Sequence, residues 1–415
     1  MNESHPEPPE SSLRRLASPD HGLKVITSED AWKKVLDVIE AGSGPIALDV
    51  ERASGFRYSQ RAYLVQIYRR GGTNFLVDPL HLPDLSGFTT RFGDQEWVLH
   101  AARQDLASLR EVGMSPTRLF DTELGARLAG LPRVGLQGSV EDLLGVQLAK
   151  EHSAADWSTR PLPESWLNYA ALDVEVLPDL RDAIWRTLEQ AGKIDFATEE
   201  FNAIIHEPPA AARAEPWRRL SGLHQVRGAR GLAIARELWL AREEFAKAQD
   251  VSPGRLLPDR SIVHAAMERP SSQAELVGLK NFHGRASRSE APRWWAAIRE
   301  GMATQELPAL RGSGDTLPPP RAWLDKAPEA HRRYVLARDL IQRAGERITI
   351  PAENILTPEY LRRICYAPHD PSHPSAIDGQ LEQLGARRWQ RDLVVPLLVE
   401  AFRQAATIDE VAATH

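Results

Sequence analysis

The sequence predicts an α/β module, built as a mixed sheet covered by helices, followed by two all-helical modules. Three observations support this prediction. Strand-like segments cluster near the start of the 415-residue chain, helical periodicity dominates after them, and two Pro-rich segments divide the remainder. We place the modules at 24–206, 216–300 and 328–405, with linkers at 207–215 and 301–327.

The first module opens with three strand-like segments separated by turn-forming residues such as RRGGTN. The segments are IALDVE from Ile46, AYLVQIY from Ala62 and NFLVDPL from Asn74. Three strands in close succession predict an antiparallel meander. Segments with helical periodicity then follow; they are ARQDLASLREVG, DTELGARLAGL and SWLNYAALDVEVLPDLRDAIWRTLEQAG. Strands followed by helices predict a mixed sheet flanked by helices.

The two ends and the composition narrow the class of protein. Residues 1–23 are polar and Pro-rich, which predicts a disordered tail, and 406–415 form a second tail. No apolar stretch approaches the roughly 18 residues that a membrane span needs. The single cysteine, Cys365, excludes an internal disulfide and a CxxC metal site. We therefore expect a soluble, cytoplasmic protein.

The net charge of −6 hides a segregation of charge along the chain. From Lys24 to His206 there are 19 basic and 27 acidic residues, whereas from Arg213 to Arg299 there are 16 basic and 9 acidic residues. A basic block beside an acidic block suits a protein that holds a phosphate backbone on one module and concentrates carboxylates on another. The distribution predicts salt-sensitive binding that depends on residues 213–299.

Carboxylates recur at positions where they could converge. Asp49 and Glu51 stand two apart in a predicted strand and so project from one face. Beside a core, such a pair favours a bound divalent cation, although a solvated strand edge would also explain it. Tyr169 and Asp173 stand four apart and share one face of a predicted helix. A phenol beside a carboxylate can orient a metal-bound water, and packing of Tyr169 against the core is the alternative.

Two further aspartates complete the set. Asp105 falls in the helical segment HAARQDLASL, and Asp121 follows a strand-like RLF. Joined in order, these elements resemble the three exonuclease motifs of the DEDD superfamily, in the tyrosine-containing branch of the ribonuclease D family. RAYLVQIY and FLVDPL follow the first motif as in that family, and ADWSTRPLPESWLNYAALDVEVL resembles its approach to the third. The resemblance implies an RNase H-like mixed sheet in the nuclease module.

The resemblance also implies a role for each motif residue. Four carboxylates would hold two divalent ions, and Tyr169 would position the attacking water. The four are Asp49, Glu51, Asp105 and Asp173. Asp121 matches no ligand of the family, and we interpret it as a supporting residue or a helix N-cap. Carboxylates without histidine favour Mg²⁺ or Mn²⁺ over zinc.

The sequence of the helical modules predicts binding to nucleic acid. From Pro216 to Ile298 the chain resembles an HRDC domain, a helical nucleic-acid-binding module. Its segment LKNFHGRASR predicts a phosphate-contacting loop, with a basic solvated surface as the alternative. The candidate phosphate-binding residues of this loop are Lys280, His283, Arg285 and Arg288. From about Pro328 to Arg403 the chain resembles a divergent second copy, for which we expect a structural or RNA-guiding role.

Together these features predict a metal-dependent 3′→5′ exoribonuclease. The resemblance implies a monomer that trims structured RNA 3′ ends, such as those of transfer-RNA precursors, and releases nucleoside 5′-monophosphates. A DNA exonuclease with the same site is the nearest alternative, because recognition of the 2′-hydroxyl depends on local pocket shape. An RNA-binding adaptor that retains the fold without turnover is an alternative of another class.

Overall fold

The structure is a computed structural model that describes residues 13–149, 154–208, 213–312 and 317–413, with side chains as far as residue 407. Eight strands are found in this part of the chain, all of them before the second module. They are β1 (Arg14–Leu16), β2 (Leu23–Ile26), β3 (Ser43–Glu51), β4 (Leu64–Arg70), β5 (Asn74–Val77), β6 (Glu96–Leu99), β7 (Arg118–Asp121) and β8 (Val146–Leu148).

Six of the strands form one mixed sheet in the order β2-β5-β4-β3-β6-β7. β4 runs antiparallel to both of its neighbours, β3 and β5, whereas the other pairs in this sheet are parallel. The predicted antiparallel meander is therefore confirmed as β3, β4 and β5. β1 and β8 pair in parallel as a separate two-stranded sheet.

Helices cover both faces of the six-stranded sheet. In the first module they are α1 (Glu29–Ala41), α2 (Ser86–Phe92), α3 (Leu106–Glu111), α4 (Thr122–Ala129), α5 (Leu136–Leu144), α6 (Glu164–Glu175), α7 (Leu177–Gln190) and α8 (Ile194–His206). α1, α2 and α3 pack on one face, where the buried residues include Trp32, Phe88 and Leu109. α4, α6 and α7 pack on the other face. The predicted mixed sheet flanked by helices is confirmed.

The rest of the described chain is helical. The second module contains α9 (Gly228–Gln249), α10 (Pro253–Leu256), α11 (Asp259–Glu268), α12 (Gln273–Gly278), α13 (Arg285–Ser289) and α14 (Ala291–Ala303). The third contains α15 (Trp323–Lys326), α16 (Pro328–Ile348), α17 (Ala352–Ile355), α18 (Pro358–Tyr366), α19 (Pro374–Leu384) and α20 (Arg388–Ala413). Short 3₁₀ turns occur at Ala102–Gln104, Pro216–Arg219, Leu223–Gln225 and Pro320–Ala322.

The second and third modules begin alike. In each, a long helix ends at a residue with left-handed backbone, Asp250 or Thr349. A one-turn helix then begins at Pro253 in the second module and directly after Pro351 in the third. The elements after these helices differ in length. That the third module is a second HRDC copy therefore stays a prediction.

The predicted tails and linkers differ from the structure where tertiary contacts order the chain. Within the predicted tail 1–23, residues 1–12 lie outside the described residues, but Arg14–Leu16 form a strand. α20 likewise continues into the predicted tail 406–415, whose last two residues lie outside the described part. Strand pairing and helix continuation here outweigh a polar composition that favours disorder.

The second predicted linker is shorter than expected, whereas the first lies between the end of α8 at His206 and a 3₁₀ turn that begins at Pro216. Residues 209–212 of the first linker and 313–316 of the second lie outside the described residues. Within the second linker, α14 extends to Ala303, and α15 brings Trp323 into the core of the third module at 0% exposure. Burial of this indole explains why the described end of the linker is helical.

Within the described ranges, every helix is too short or too polar to cross a lipid bilayer.

Candidate metal centre

Strand β3 carries two carboxylates on one face, as its period predicts. Ile46, Leu48 and Val50 point into the core beneath α1, α2 and α3. Ala47 packs on the opposite side, and Asp49 and Glu51 share that side because successive strand residues alternate. Glu51 is 8% exposed, so these acids lie at the margin of a packed core and not on a solvated edge.

Helix α6 brings the third acid to the same place. It packs across β3, β4 and β5, and it begins after Pro163. Tyr169 and Asp173 lie one turn apart on it and hydrogen-bond to each other through their side chains. Oxygen atoms of Asp49, Glu51 and Asp173 all lie within 4.8 Å of one another. The structure thus brings together three of the four predicted ligands and the predicted tyrosine.

The fourth predicted ligand, Asp105, lies beside this group and contacts an arginine. It is 5% exposed, and its Oδ1 lies 3.4 Å from Nη2 of Arg52. Asp105 was predicted inside a helix, but it lies between the 3₁₀ turn and the first residue of α3. Ala101 directly precedes the turn and has a left-handed φ of 61°, so the local backbone departs from a continuous helix.

Asp121 holds the turn that precedes Asp105. Its carboxylate accepts hydrogen bonds from the backbone N–H groups of Glu123 and Leu124, at the N-terminus of α4. It also accepts from the N–H groups of Ala101 and Ala102, at 3.1 and 2.9 Å. One aspartate therefore caps a helix and fixes the loop that carries Asp105, outside the group formed by Asp49, Glu51 and Asp173.

The electrostatics of the centre are those of crowded acids. Burial, which disfavours the charged form, is the first cause of a raised pKa at Asp49, Glu51 and Asp173, and their mutual repulsion adds to it at Glu51 and Asp173. Burial and then Asp49 raise the pKa of Asp105 to about 8. A divalent cation would relieve this repulsion. The donor set consists of carboxylate oxygens, which fits a hard ion such as Mg²⁺ or Mn²⁺.

The predicted nucleic-acid-binding residues lie on the second module. Lys280, His283, Arg285 and Arg288 are all exposed, around a turn at Gly284 and along α13. Arg260, which the sequence analysis did not single out, lies 3.0 Å from His283 and extends this basic surface. We refer to these five residues as the basic surface.

The second module docks on the loop that follows β3. At the end of α9, Oδ1 of Asp250 accepts a hydrogen bond from the N–H of Ser59 at 2.9 Å, and its Oδ2 accepts from the hydroxyl of Tyr63 at 3.4 Å. Nearby, Arg255 donates to the carbonyl of Gly55 at 2.8 Å and lies 4.0 Å above the ring of Phe56. The helical module is thereby fixed to the segment that leads directly out of Glu51.

α10 links this contact to the basic surface. Arg255 on α10 contacts the loop, while Leu256 on the same short helix accepts a hydrogen bond from Ser287 in α13 at 3.0 Å.

The sequence analysis missed two residues: Arg52, which contacts Asp105, and Asp250, which holds the loop after β3. Arg52 directly follows Glu51, and this adjacency is the signal that could have identified it.

Family models match three parts of the chain. Residues 23–189 match a model described as 3′–5′ exonuclease, and residues 231–298 match the HRDC domain. Residues 316–402 match a model of their own, described as a 3′ to 5′ exonuclease C-terminal domain. The acidic group therefore lies in a 3′–5′ exonuclease domain, and the basic surface lies in an HRDC domain.

Two bacterial proteins with sequences similar to this chain are both named ribonuclease D. Ribonuclease D of Granulibacter bethesdensis is 31% identical over 227 residues, which are 53% of this chain and 56% of that protein. Ribonuclease D of Cronobacter turicensis is 28% identical over 334 residues, which are 79% of this chain and 87% of that protein. The match thus spans less than two thirds of the first relative but most of the second.

A solved structure has the same arrangement over nearly the whole chain. The crystal structure of a protein from Bifidobacterium adolescentis is 35% identical and superposes with a TM-score of 0.85. The match covers 94% of this chain and all of that one. The order of an exonuclease domain followed by helical domains is therefore shared beyond the local motifs.

Proposed function

We propose that the chain is a ribonuclease D-like 3′–5′ exonuclease that hydrolyses RNA from the 3′ end and releases nucleoside 5′-monophosphates. The observation that carries this proposal is the convergence of Asp49, Glu51 and Asp173, with Tyr169 hydrogen-bonded to the last. Transfer-RNA precursors and other structured RNAs are the proposed substrates. A monomer and a cytoplasmic location stay predictions from the sequence.

In the proposed mechanism, Asp49, Glu51, Asp105 and Asp173 would hold two divalent ions. Such ions supply a nucleophile by lowering the pKa of water and stabilise charge on the departing 3′ oxygen. Burial, followed by repulsion from Asp173, raises the pKa of Tyr169, so its hydroxyl stays protonated at neutral pH. The phenol can therefore orient a water by hydrogen bonding.

The basic surface is the proposed binding site for the phosphate backbone of RNA. Its side chains are exposed, and α10 connects them to the loop beside Glu51. Replacing Lys280, Arg285 and Arg288 together with alanine should weaken RNA binding and reduce the slope of log affinity against log salt by up to about 3. Replacing the exposed Arg299 of α14 is the control. An unchanged salt slope in the triple variant would remove these residues from the RNA path.

The catalytic assignment is tested by two substitutions. Asp49→Asn should abolish Mg²⁺-dependent release of mononucleotides while RNA binding persists. Tyr169→Phe should slow the reaction and leave divalent-ion affinity nearly unchanged, because the ring and its packing remain. If Asp49→Asn retains the wild-type rate, the assignment of Asp49 to the catalytic site is wrong. If the wild-type protein binds RNA without releasing mononucleotides, the enzyme proposal fails in favour of a binding adaptor.

Sugar preference requires its own comparison. RNA and DNA oligonucleotides of the same sequence and the same 3′ end should be hydrolysed side by side with Mg²⁺. We expect faster hydrolysis of RNA, as the family implies. A large preference for DNA would instead identify a DNA exonuclease built on the same acidic group.

A further inference from the structure

Gln66 lies directly opposite Asp49 in the sheet. The register of the antiparallel pair β3 and β4 sets Asp49 against Gln66. Residues paired in this way project from the same face. Their neighbours agree, since Val65 and Ile67 point into the core beneath α1, α2 and α3. Gln66 therefore lies on the face that α6 covers and that carries the acidic group.

This glutamine is buried without a partner for its amide. Gln66 is 0% exposed, and neither its Oε1 nor its Nε2 has a hydrogen-bond partner among the described residues. Asn74 on β5 is equally buried, yet its Nδ2 donates to the carbonyl of Gly22 and to Glu175. Because buried amides in native proteins are nearly always hydrogen-bonded, the orphaned amide of Gln66 needs a physical reason.

The surroundings of Gln66 limit what that reason can be. Across the sheet it has Asp49 on one side and Leu76 on the other. Along its own strand, on the same face, stand Leu64 and Tyr68, and the hydroxyl of Tyr68 lies 3.4 Å from Nδ1 of His21. Of the cross-strand partners in register with Gln66, Asp49 alone carries a polar side chain.

We propose that Gln66 is a positioning residue for the divalent-ion site: when an ion is bound, its Nε2 donates to the Asp49 oxygen that faces away from the ion. The proposal rests on the proposed function, which makes Asp49 a ligand. A ligand carboxylate needs a donor on its outer side to fix its orientation. A neutral amide provides that donor without competing with the cation for the negative charge, as an arginine would.

The proposal predicts opposite effects in the metal-free and metal-bound protein. Gln66→Met keeps the side-chain length and removes both polar atoms. Without metal, it should leave the unfolding temperature unchanged or raise it, because an unsatisfied amide is lost. With metal, it should weaken Mn²⁺ binding by about 10- to 100-fold, the cost typical of losing an outer partner of a ligand. Calorimetric titration with Mn²⁺ and thermal unfolding in EDTA measure the two effects.

Tyr68→Phe provides the matched control. It removes a polar atom from the same face of the same strand, at the position paired with Ala47. We expect it to change the unfolding temperature equally with and without metal and to leave Mn²⁺ affinity within about 2-fold. Gln66→Leu repeats the test if the methionine variant does not fold.

Two outcomes separate this inference from the proposed function. If Gln66→Met lowers the metal-free unfolding temperature and binds Mn²⁺ as the wild type does, Gln66 is a structural residue and the inference is wrong. If the wild-type protein does not bind Mn²⁺, or if Asp49→Asn binds it as well as the wild type, the proposed metal centre itself is wrong.

Discussion

The pentapeptide Ala-Leu-Asp-Val-Glu occurs twice in this chain, at 47–51 in β3 and at 171–175 in α6. In the strand, side chains two apart share a face, so Asp49 and Glu51 both reach the acidic group. In the helix, a step of two residues rotates the side chain by about 200°. Asp173 therefore joins that group, whereas Glu175 faces elsewhere. Backbone period alone gives the same five residues different roles.

The two glutamates show how different those roles are. Glu51 is surrounded by acids, and burial followed by repulsion from Asp49 holds its pKa well above the usual range. Glu175 is equally buried at 8% exposure but is surrounded by donors. It accepts hydrogen bonds from the backbone N–H groups of Asp20 and His21, at 2.8 and 3.3 Å, and from the side chain of Asn74. One glutamate faces the proposed cation site, and the other anchors the N-terminal segment to the sheet.

Activity is the largest expected difference between the two copies. Glu51→Gln should reduce Mg²⁺-dependent hydrolysis of RNA by more than about 100-fold, since even outer-shell partners of a ligand cost 10- to 100-fold. Glu175→Gln should stay within about 3-fold of the wild type, because its side chain lies outside the acidic group. Mononucleotide release measured at saturating Mg²⁺ makes the comparison. Equal losses of hydrolysis rate in both variants would show that the two glutamates do not have different roles.

For the stability of the metal-free protein, we expect Glu175→Gln to have a larger effect than Glu51→Gln. Glu175→Gln replaces one of two oxygens that accept hydrogen bonds with an amide donor, and it should lower the free energy of unfolding by about 1–3 kcal/mol. Glu51→Gln should leave the metal-free protein as stable as the wild type or more so, because it removes one of several mutually repelling charges. Urea unfolding in EDTA compares the variants. A metal-free Glu51→Gln protein that is the less stable of the two would contradict this account.

The segments that follow the two copies also differ. The strand copy leads into the loop that Asp250 holds through Ser59 and Tyr63, whereas the helix copy leads into α7. Asp250→Gly suits the left-handed φ of 46° and removes the carboxylate. It should raise KM for RNA by about 3- to 10-fold, the cost of about one hydrogen bond to a charged group. Steady-state kinetics test this.

The control for this prediction keeps an acceptor at the same position. Asp250→Asn retains a side-chain oxygen that can accept from Ser59, and asparagine tolerates left-handed backbone. We expect its KM to lie between those of the wild type and the glycine variant. A glycine variant with wild-type KM would show that docking of the HRDC domain on this loop does not serve substrate binding.

The smallest expected effect is a pH dependence of stability. The pKa of Asp105 is raised to about 8, so the folded metal-free protein keeps a proton that the unfolded chain has lost above pH 4. Stability therefore falls as pH rises through 8, by about 1 kcal/mol between pH 7 and 9 from this group. Asp105→Asn should remove that part of the slope. Thermal unfolding in EDTA between pH 7 and 9 compares the variant with the wild type. Equal dependence of stability on pH in the two proteins would show that Asp105 is ionised throughout this range and would contradict the prediction.

Local periodicity explains what the sequence could predict. Alternation in β3 predicted that Asp49 and Glu51 share a face, and helical spacing predicted that Tyr169 and Asp173 do. The meander of β3, β4 and β5 followed from short turns between neighbouring strands. These features depend on residues close in the chain, so their patterns are visible without the fold.

Contacts between distant segments could not be predicted in this way. Asp250 and Ser59 lie 191 residues apart, and no local pattern links them. The backbone at Asp105 also departs from the predicted helix because Asp121, from another strand, binds the N–H groups of Ala101 and Ala102. The ordered strand Arg14–Leu16 likewise depends on β8, which lies more than a hundred residues away.

Divalent-ion binding by variants of the two pentapeptides tests the central claim most directly. Calorimetric titration with Mn²⁺ should be performed on Asp49→Asn, Glu51→Gln, Asp173→Asn and Glu175→Gln, beside the wild type. The account predicts that the first three lose binding by a large factor and that Glu175→Gln binds as the wild type does. Retained binding in Asp173→Asn together with lost binding in Glu175→Gln would contradict it.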